Sequence, residues 1–355
     1  MKLILTDDQR ELAGSVRSFL ADVAPMARVR EVAESDEPYD ARLWERMCGE
    51  LGLAGLAVPE EYGGAGAGHA EVAAVQEELG AALTPSPFLA SAVLAANVLL
   101  EAADEEAAKA YLPGIAAGTT VAAVSVPGDG PAPAVRAGDR LDGTLPHVVN
   151  GADADLVLLV ADGGLFAVES GAEGLARTPL TVLDLTRPQA RLSLDGTPAR
   201  RIGSGEGVQR ALELAAVALA AEQLGGLRHC LDAMVEYAKL RVQFGRYVGS
   251  FQGVKHKLAD MHCTLEQAES VVRYAAWAAD ESAEELPVAA ALAQSYMGRA
   301  YFQVAKDSLL LHGGIGFTWE HDAHLYYKRA KSSQLLLGSP RHHRAHLAES
   351  LGLLA

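Results

Sequence analysis

Five residues, Arg241-Val242-Gln243-Phe244-Gly245, are followed by Gln252, eleven positions after the arginine. A fixed cation with a planar fork of donors, an aromatic ring, a glycine that can turn and an amide that reads as buried stand in that order between Glu236 and Met261. A helix whose only task is packing needs none of them. A second glycine-rich stretch, LHGGIGF at residues 311–317, carries Gly313 and Gly314. Taken singly these are ordinary features: a lone arginine is most often on a solvated face, and a glycine pair is most often a turn. The histidines of RHHRAH at 341–346 have no acidic or cysteine ligands beside them. They predict a basic helix end rather than a metal site.

The elements that must hold these residues are legible as changes of period. Near the start, Thr6-Asp7-Asp8-Gln9 has the form of a capping box, and Leu12, Val16, Phe19, Leu20 and Val23 then recur at helical spacing. ARLWERMCGELGLAGLAVPEEYGG predicts an amphipathic helix ending in glycine, then a loop. AEVAAVQEELGAALTPSPFLASAVLAANVLLEAA predicts two apolar helices broken at Pro85 and Pro87, because proline lacks the helix donor. From about Val121 the runs become short and β-branched, separated by Gly, Asp and Pro, which is strand-and-turn chemistry. After RRIGSGEG the helical period returns, with long stretches that are apolar on more than one face, as in bundles or subunit interfaces. The expected boundaries are 1–118 for an N-terminal helical domain, 119–204 for a middle β domain and 205–355 for a C-terminal helical bundle.

Composition narrows the class. With 355 residues, half of them apolar and 21% charged, the chain is long enough for more than one folding unit and reads as an ordinary soluble globular protein. A formal charge of −16 argues against general nucleic-acid or anionic-membrane binding. No long apolar run predicts a signal peptide or a membrane span. Cys48, Cys230 and Cys263 are odd in number and far apart, which supports neither a disulfide framework nor a zinc site and makes a reducing cytoplasm the expected location.

Helices, then a small β domain, then a four-helix bundle, together with Arg241-Val-Gln-Phe-Gly, Gln252 and LHGGIGF, resemble the acyl-CoA dehydrogenase family nearly end to end. GLAGLAVPEEYGG, NGADADLVLLVA and KHKLADM fit the same family. The resemblance implies a mostly α fold with a barrel-like middle β domain, and FAD at a subunit interface reached by the arginine–phenylalanine–glycine segment of a neighbouring chain. On that reading Arg241 offers its donor fork to the FAD pyrophosphate, Phe244 lies beside the dinucleotide, Gln252 hydrogen-bonds through its amide, and Gly313 and Gly314 let backbone approach the cofactor.

The family's reaction removes a proton beside a thioester carbonyl while a hydride leaves the adjacent carbon for the flavin. It needs a glutamate base, a group that typically contributes about 10²- to 10⁴-fold to rate. The family places that glutamate before a Gly-Thr or Gly-Ser pair; here QLLLGSP puts Leu337 there. A second family position falls near Ala215 and Ala216, again without an acid. The Thr-Glu-Pro and Gly-Ser-Asp pattern that lines the flavin ring in active members is replaced by SVPGDG from Ser125 to Gly130. The resemblance therefore points to the base-lacking partner chain of an α2β2 acyl-CoA dehydrogenase, of the kind bacteria use on sterol-derived CoA thioesters. A second acyl-CoA dehydrogenase-like chain would supply the base, and an electron-transfer acceptor would reoxidise the flavin. Two alternatives stand beside it: a homomeric dehydrogenase with a base relocated to Glu213, Glu222 or Glu236, and a flavin-free structural or regulatory relative.

Overall fold

In the computed structural model, residues 3–126 and 135–353 are described. The helices are α1 (Asp7–Val23), α2 (Met26–Ala33), α3 (Ala41–Leu51), α4 (His69–Ala81), α5 (Ala96–Glu101), α6 (Glu105–Ala116), α7 (Val208–Leu240), α8 (Gln252–Glu281), α9 (Leu286–Leu311), α10 (Ala323–Ser333) and α11 (Pro340–Ser350). Between α6 and α7 run β1 (Ala122–Val124), β2 (Val135–Ala137), β3 (Leu141–Val149), β4 (Leu156–Ala161), β5 (Gly164–Glu169), β6 (Leu175–Pro179), β7 (Gln189–Thr197) and β8 (Arg200–Ser204). Two short strands, β9 (Val242–Gln243) and β10 (Arg246–Tyr247), separate α7 from α8. The mostly helical fold with a small β region is the one expected.

The chain forms two compact units. One gathers the described residues through Met26, Ala73–Thr84 and those from Leu219 onward; the other gathers Ala27–Val72 and Pro85–Ala218. The grouping is set by long-range contact, so the first helix and part of α4 fold with the bundle although the strands separate them from it in sequence.

In the second unit, local caps start the helices. Asp40 accepts from the Leu43 amide at 3.0 Å to begin α3, and Arg28 Nε holds the same carboxylate at 2.7 Å. After Pro87 the chain runs as a π-helix, Phe88–Ala95, before tightening into α5. All eight residues of that wide turn are buried, and Ser91 Oγ accepts from Ala122 N at 2.9 Å, tying it to β1. The strands make two four-stranded sheets, β1-β4-β5-β8 and β2-β3-β7-β6. Only the β1–β4 pair is parallel among the described pairs. Inward residues of both sheets, Leu145, Val148, Val157, Leu159, Val168 and Leu192, share one core. This is the barrel-like arrangement expected of the middle region.

In the first unit, the capping box is present as read. Gln9 N donates to Thr6 Oγ1 at 3.2 Å, and Thr6 N donates to Gln9 Oε1 at 2.9 Å. Helix α9 is deeply enclosed, burying Ala289, Ala293, Met297, Tyr301, Val304 and Ala305 among others. Helices α4 and α7 cross in backbone contact: a Cβ on Gly225 would lie 1.7 Å from the Glu77 carbonyl oxygen, and one on Gly80 would lie 2.0 Å from the Glu222 carbonyl oxygen. Charges buried near that crossing are paired. Glu77 takes Arg273 at 2.8 Å as well as Arg228, and Arg329 meets Glu222 at 3.1 Å.

Candidate functional site

Helix α7 ends at Leu240, and the next seven residues double back as a β-hairpin. Arg246 pairs with Gln243 and Tyr247 with Val242, leaving Phe244 and Gly245 as its two-residue loop. Both loop residues have positive φ, 51° and 74°. Two left-handed residues are the requirement of a type I′ turn, for which Asn-Gly is the cheap solution. Phenylalanine is not, and its ring is 91% exposed. The expected glycine turn is therefore present, with an aromatic held out on its tip.

The hairpin is anchored at its base. Arg241 N donates to Tyr237 O at 2.8 Å, continuing α7, and Val248 N donates to Arg241 O at 2.8 Å, closing the loop. Gly249 passes so close to α7 that a Cβ there would lie 2.8 Å from the Ala238 carbonyl oxygen. Arg246 spreads its guanidinium over the Phe251 ring at 4.0 Å, and Phe244 meets the same ring edge-on at 6.3 Å. The Arg241 side chain is exposed and has no carboxylate partner among the described residues.

Gln252 is the first residue of α8 and is exposed, not buried as its apolar surroundings in sequence suggest. Its place at a helix start explains this, since the first turn projects beyond the neighbouring packing. No side chain caps α8 and no acidic residue occupies its first turn. Val254 N and Lys255 N already donate to Phe251 O at 3.1 Å, so it is the Gln252 and Gly253 amides at the start of this 30-residue helix that are left to solvent or an anion.

The second glycine stretch follows α9. Gly313 has φ of 67°, a conformation that glycine adopts freely, and Gly313–Phe317 forms a short 3₁₀ turn. Gly314 is different: a Cβ there would meet nothing within 4 Å, and its φ lies outside the left-handed range. Nothing within this chain demands glycine at that position. The turn is held from beneath by His312, which is buried and donates through Nδ1 to Ser308 O at 2.7 Å. Burial pulls the His312 pKa below the ordinary range, and the His321 ring, centred 4.3 Å away, adds to this against the Ser308 carbonyl. Ile315, Phe317 and Trp319 beyond it are exposed, as are Val242 and Tyr247 on the hairpin.

Leu337 stands before Gly338-Ser339 with φ of 60°, a conformation that costs a branched side chain about 1–2 kcal/mol. Its carbonyl accepts from His343 Nε2 at 3.0 Å, and Ser339 caps α11 by accepting from His342 N. The histidine-rich segment thus occupies the first turns of α11 and not a helix end suited to cations, with His343 turned inward; sequence spacing carries no sign of that inward bond. Ala215 is fully buried on α7. The three glutamates weighed as relocated bases are each engaged: Glu213 with Gln209 at 3.1 Å, Glu222 with Arg329, and exposed Glu236 with Lys239 at 2.6 Å. In the β region, Ser125 donates its amide to Leu158 O at 2.9 Å, whereas Pro127–Gly130 of SVPGDG lie outside the described residues.

The parts present fit a dinucleotide. An unpaired guanidinium, an uncapped helix start, a neutral amide, an exposed ring and a glycine turn without a Cβ supply donors and an apolar surface, and their own chain leaves them open. Among the described residues, no helix is long and apolar enough to cross a membrane.

The chain resembles known proteins along nearly its whole length. Residues 6–119 match the model for the acyl-CoA dehydrogenase N-terminal domain, and residues 204–352 match that for the C-terminal domain. The acyl-CoA dehydrogenase IpdE2 of Mycobacterium tuberculosis is 39% identical over 94% of each chain. FadE34 of the same organism is 38% identical over 95% of this chain and 47% of its own. Among solved structures, the ChsE4-ChsE5 complex from Mycobacterium tuberculosis superposes with a TM-score of 0.92 at 29% identity, covering 100% of both chains. A variant of the Tcur3481-Tcur3483 steroid ACAD gives 0.90 at 31% identity, covering 98% of both. With two domain models matched in order, a relative this similar along nearly its whole length and the hairpin and glycine turn in place, the chain belongs to the acyl-CoA dehydrogenase family.

Proposed function

We propose that this chain is the base-lacking subunit of a heteromeric, FAD-dependent acyl-CoA dehydrogenase, in which a second acyl-CoA dehydrogenase-like chain completes the site. FAD bound there would accept the hydride removed from the carbon β to the thioester. This chain's own residues bind and orient the cofactor: Arg241 and the start of α8 face its pyrophosphate, Phe244 covers an apolar part of the dinucleotide, Gln252 offers its amide, and Gly313-Gly314 admits it at close range. Leu337 and Ala215 hold no proton, so the α-proton passes to a carboxylate of the partner. The observation that carries this reading is Phe244, a fully presented ring on a left-handed turn whose local conformation disfavours it. Such a residue is best explained by a surface that covers it. The steroid dehydrogenase and the two-component complex among the structural neighbours support both the partner and a sterol-derived acyl group.

The reading predicts little or no dehydrogenation of acyl-CoA thioesters by the purified chain, and turnover once it is co-expressed with a dehydrogenase-like chain that has a glutamate before its own Gly-Thr. A panel of short-chain and sterol-side-chain CoA thioesters with an artificial electron acceptor reads this directly. Robust turnover by the chain alone would refute it.

A further inference from the structure

Two segments that would meet one cofactor leave the C-terminal ends of two different helices. The arginine hairpin leaves the C-terminus of α7, and the glycine turn leaves the C-terminus of α9. Their spacing must be set by whatever joins those ends. Side-chain hydrogen bonds tie α7 to α9 at several levels: Gln223 Nε2 donates to Gln294 Oε1 at 3.3 Å, Ser308 Oγ donates to Cys230 O at 3.1 Å, and two turns further along α7, at the ends themselves, Tyr237 Oη donates to His312 O at 3.2 Å.

Tyr237 lies at the junction of both segments. Its own carbonyl accepts from Arg241 N, so it is one helical turn before the arginine. Its hydroxyl reaches the carbonyl immediately before Gly313. Its ring rests against the buried His312 ring, with centroids 4.6 Å apart. A packing residue would need only the ring. We infer that Tyr237 is a positioning residue that fixes the separation of Arg241 from the Gly313-Gly314 turn, so that one FAD can engage both. This rests on the flavin reading above.

The test is FAD titration of the assembled heteromeric complex carrying Tyr237→Phe, which keeps the ring and removes the hydroxyl. A neutral hydrogen bond is worth roughly 0.5–1.5 kcal/mol, so FAD affinity should fall about 2- to 12-fold, with complex mass by light scattering unchanged. A double-mutant cycle with Arg241→Ala supplies a readout that a merely structural tyrosine would not move. If Tyr237 acts by aligning the arginine with the turn, its substitution should have a clearly smaller effect on FAD affinity once Arg241 is gone. Ser308→Ala is the matched control, since it removes an α7–α9 bond that lies away from the turn. It should lower the melting temperature and leave FAD affinity unchanged. Wild-type affinity in Tyr237→Phe, full additivity with Arg241→Ala, or an equal loss in Ser308→Ala would each overturn the inference. If Arg241→Ala itself has no effect on FAD affinity, the flavin reading falls instead, and the two failures are told apart.

Discussion

At the tip of the hairpin, Phe244 meets two unfavourable conditions at once. A left-handed backbone costs a residue with a Cβ about 1–2 kcal/mol, and its ring is left in water. Asparagine would relieve both, so Phe244→Asn should leave the isolated chain at least as stable as before in urea unfolding. In the complex, the lost burial of a phenylalanine, about 1.5–3 kcal/mol, should weaken FAD binding roughly ten- to a hundredfold. Arg241 gives the complementary case. On the proposed function, Arg241→Ala should remove a charge-assisted contact worth roughly 1.5–3 kcal/mol, while Arg241→Lys should recover only part of it, because an ammonium keeps the charge and loses the planar fork. Flavin titration of the three variants checks the series. Unchanged affinity throughout would make the hairpin a surface feature. Gly314 belongs with these residues, since its missing side chain answers to no neighbour in its own chain.

Among the elements, α7 and α10 share a contact that should report pH. His229 stacks on Tyr326 with centroids 4.1 Å apart and ring planes 7° from parallel. Burial lowers its pKa, against the opposing pull of Asp322 and Asp232. The unfolded chain therefore binds more protons than the folded one as pH falls through the ordinary histidine range. Stability contributed by neutral His229 is present above about 6.5 and is lost below it, with a slope of at most about 1.4 kcal/mol per pH unit. His229→Phe keeps a ring for the stack and cannot titrate, so its unfolding free energy should fall less between pH 7.5 and pH 5.5 than that of the wild type. Equal slopes would show that His229 gains its proton without cost. Local chemistry made part of this architecture legible beforehand. The Thr6–Gln9 box, the glycine turn after Phe244 and the change of period at the strands all depend on neighbours in sequence. The π-helix at Phe88–Ala95, the inward turn of His343 and the exposure of Gln252 depend on what packs against them, which periodicity does not encode. The close crossing of α4 and α7 is of the same kind: Gly80 and Gly225 are 145 positions apart, and only the fold brings each against the other's helix.

For the assembled molecule, the count of cofactors follows from which half-sites each chain carries. On the proposed function, this chain contributes the arginine hairpin and glycine turn, while Leu337 stands where the base would be and SVPGDG from Ser125 stands where the flavin-lining pattern would be. If each complete site needs one hairpin from this chain and one flavin-lining face with a base from its partner, a complex of two chains of each kind has two complete sites. The expected ratio is one FAD for each pair of unlike chains. A homomeric enzyme built from self-sufficient subunits would bind one per chain instead. The assembly itself should not depend on Arg241, because several exposed apolar side chains, Leu240, Val242, Phe244, Tyr247, Phe317 and Trp319, offer far more area than one cation. Arg241→Ala should thus lower flavin content while light scattering still finds the intact complex. Flavin absorbance measured against protein mass on the same sample gives both quantities. A ratio of one FAD per chain would mean that this chain's own β region also holds a flavin, and the division of labour between the two subunits would have to be abandoned.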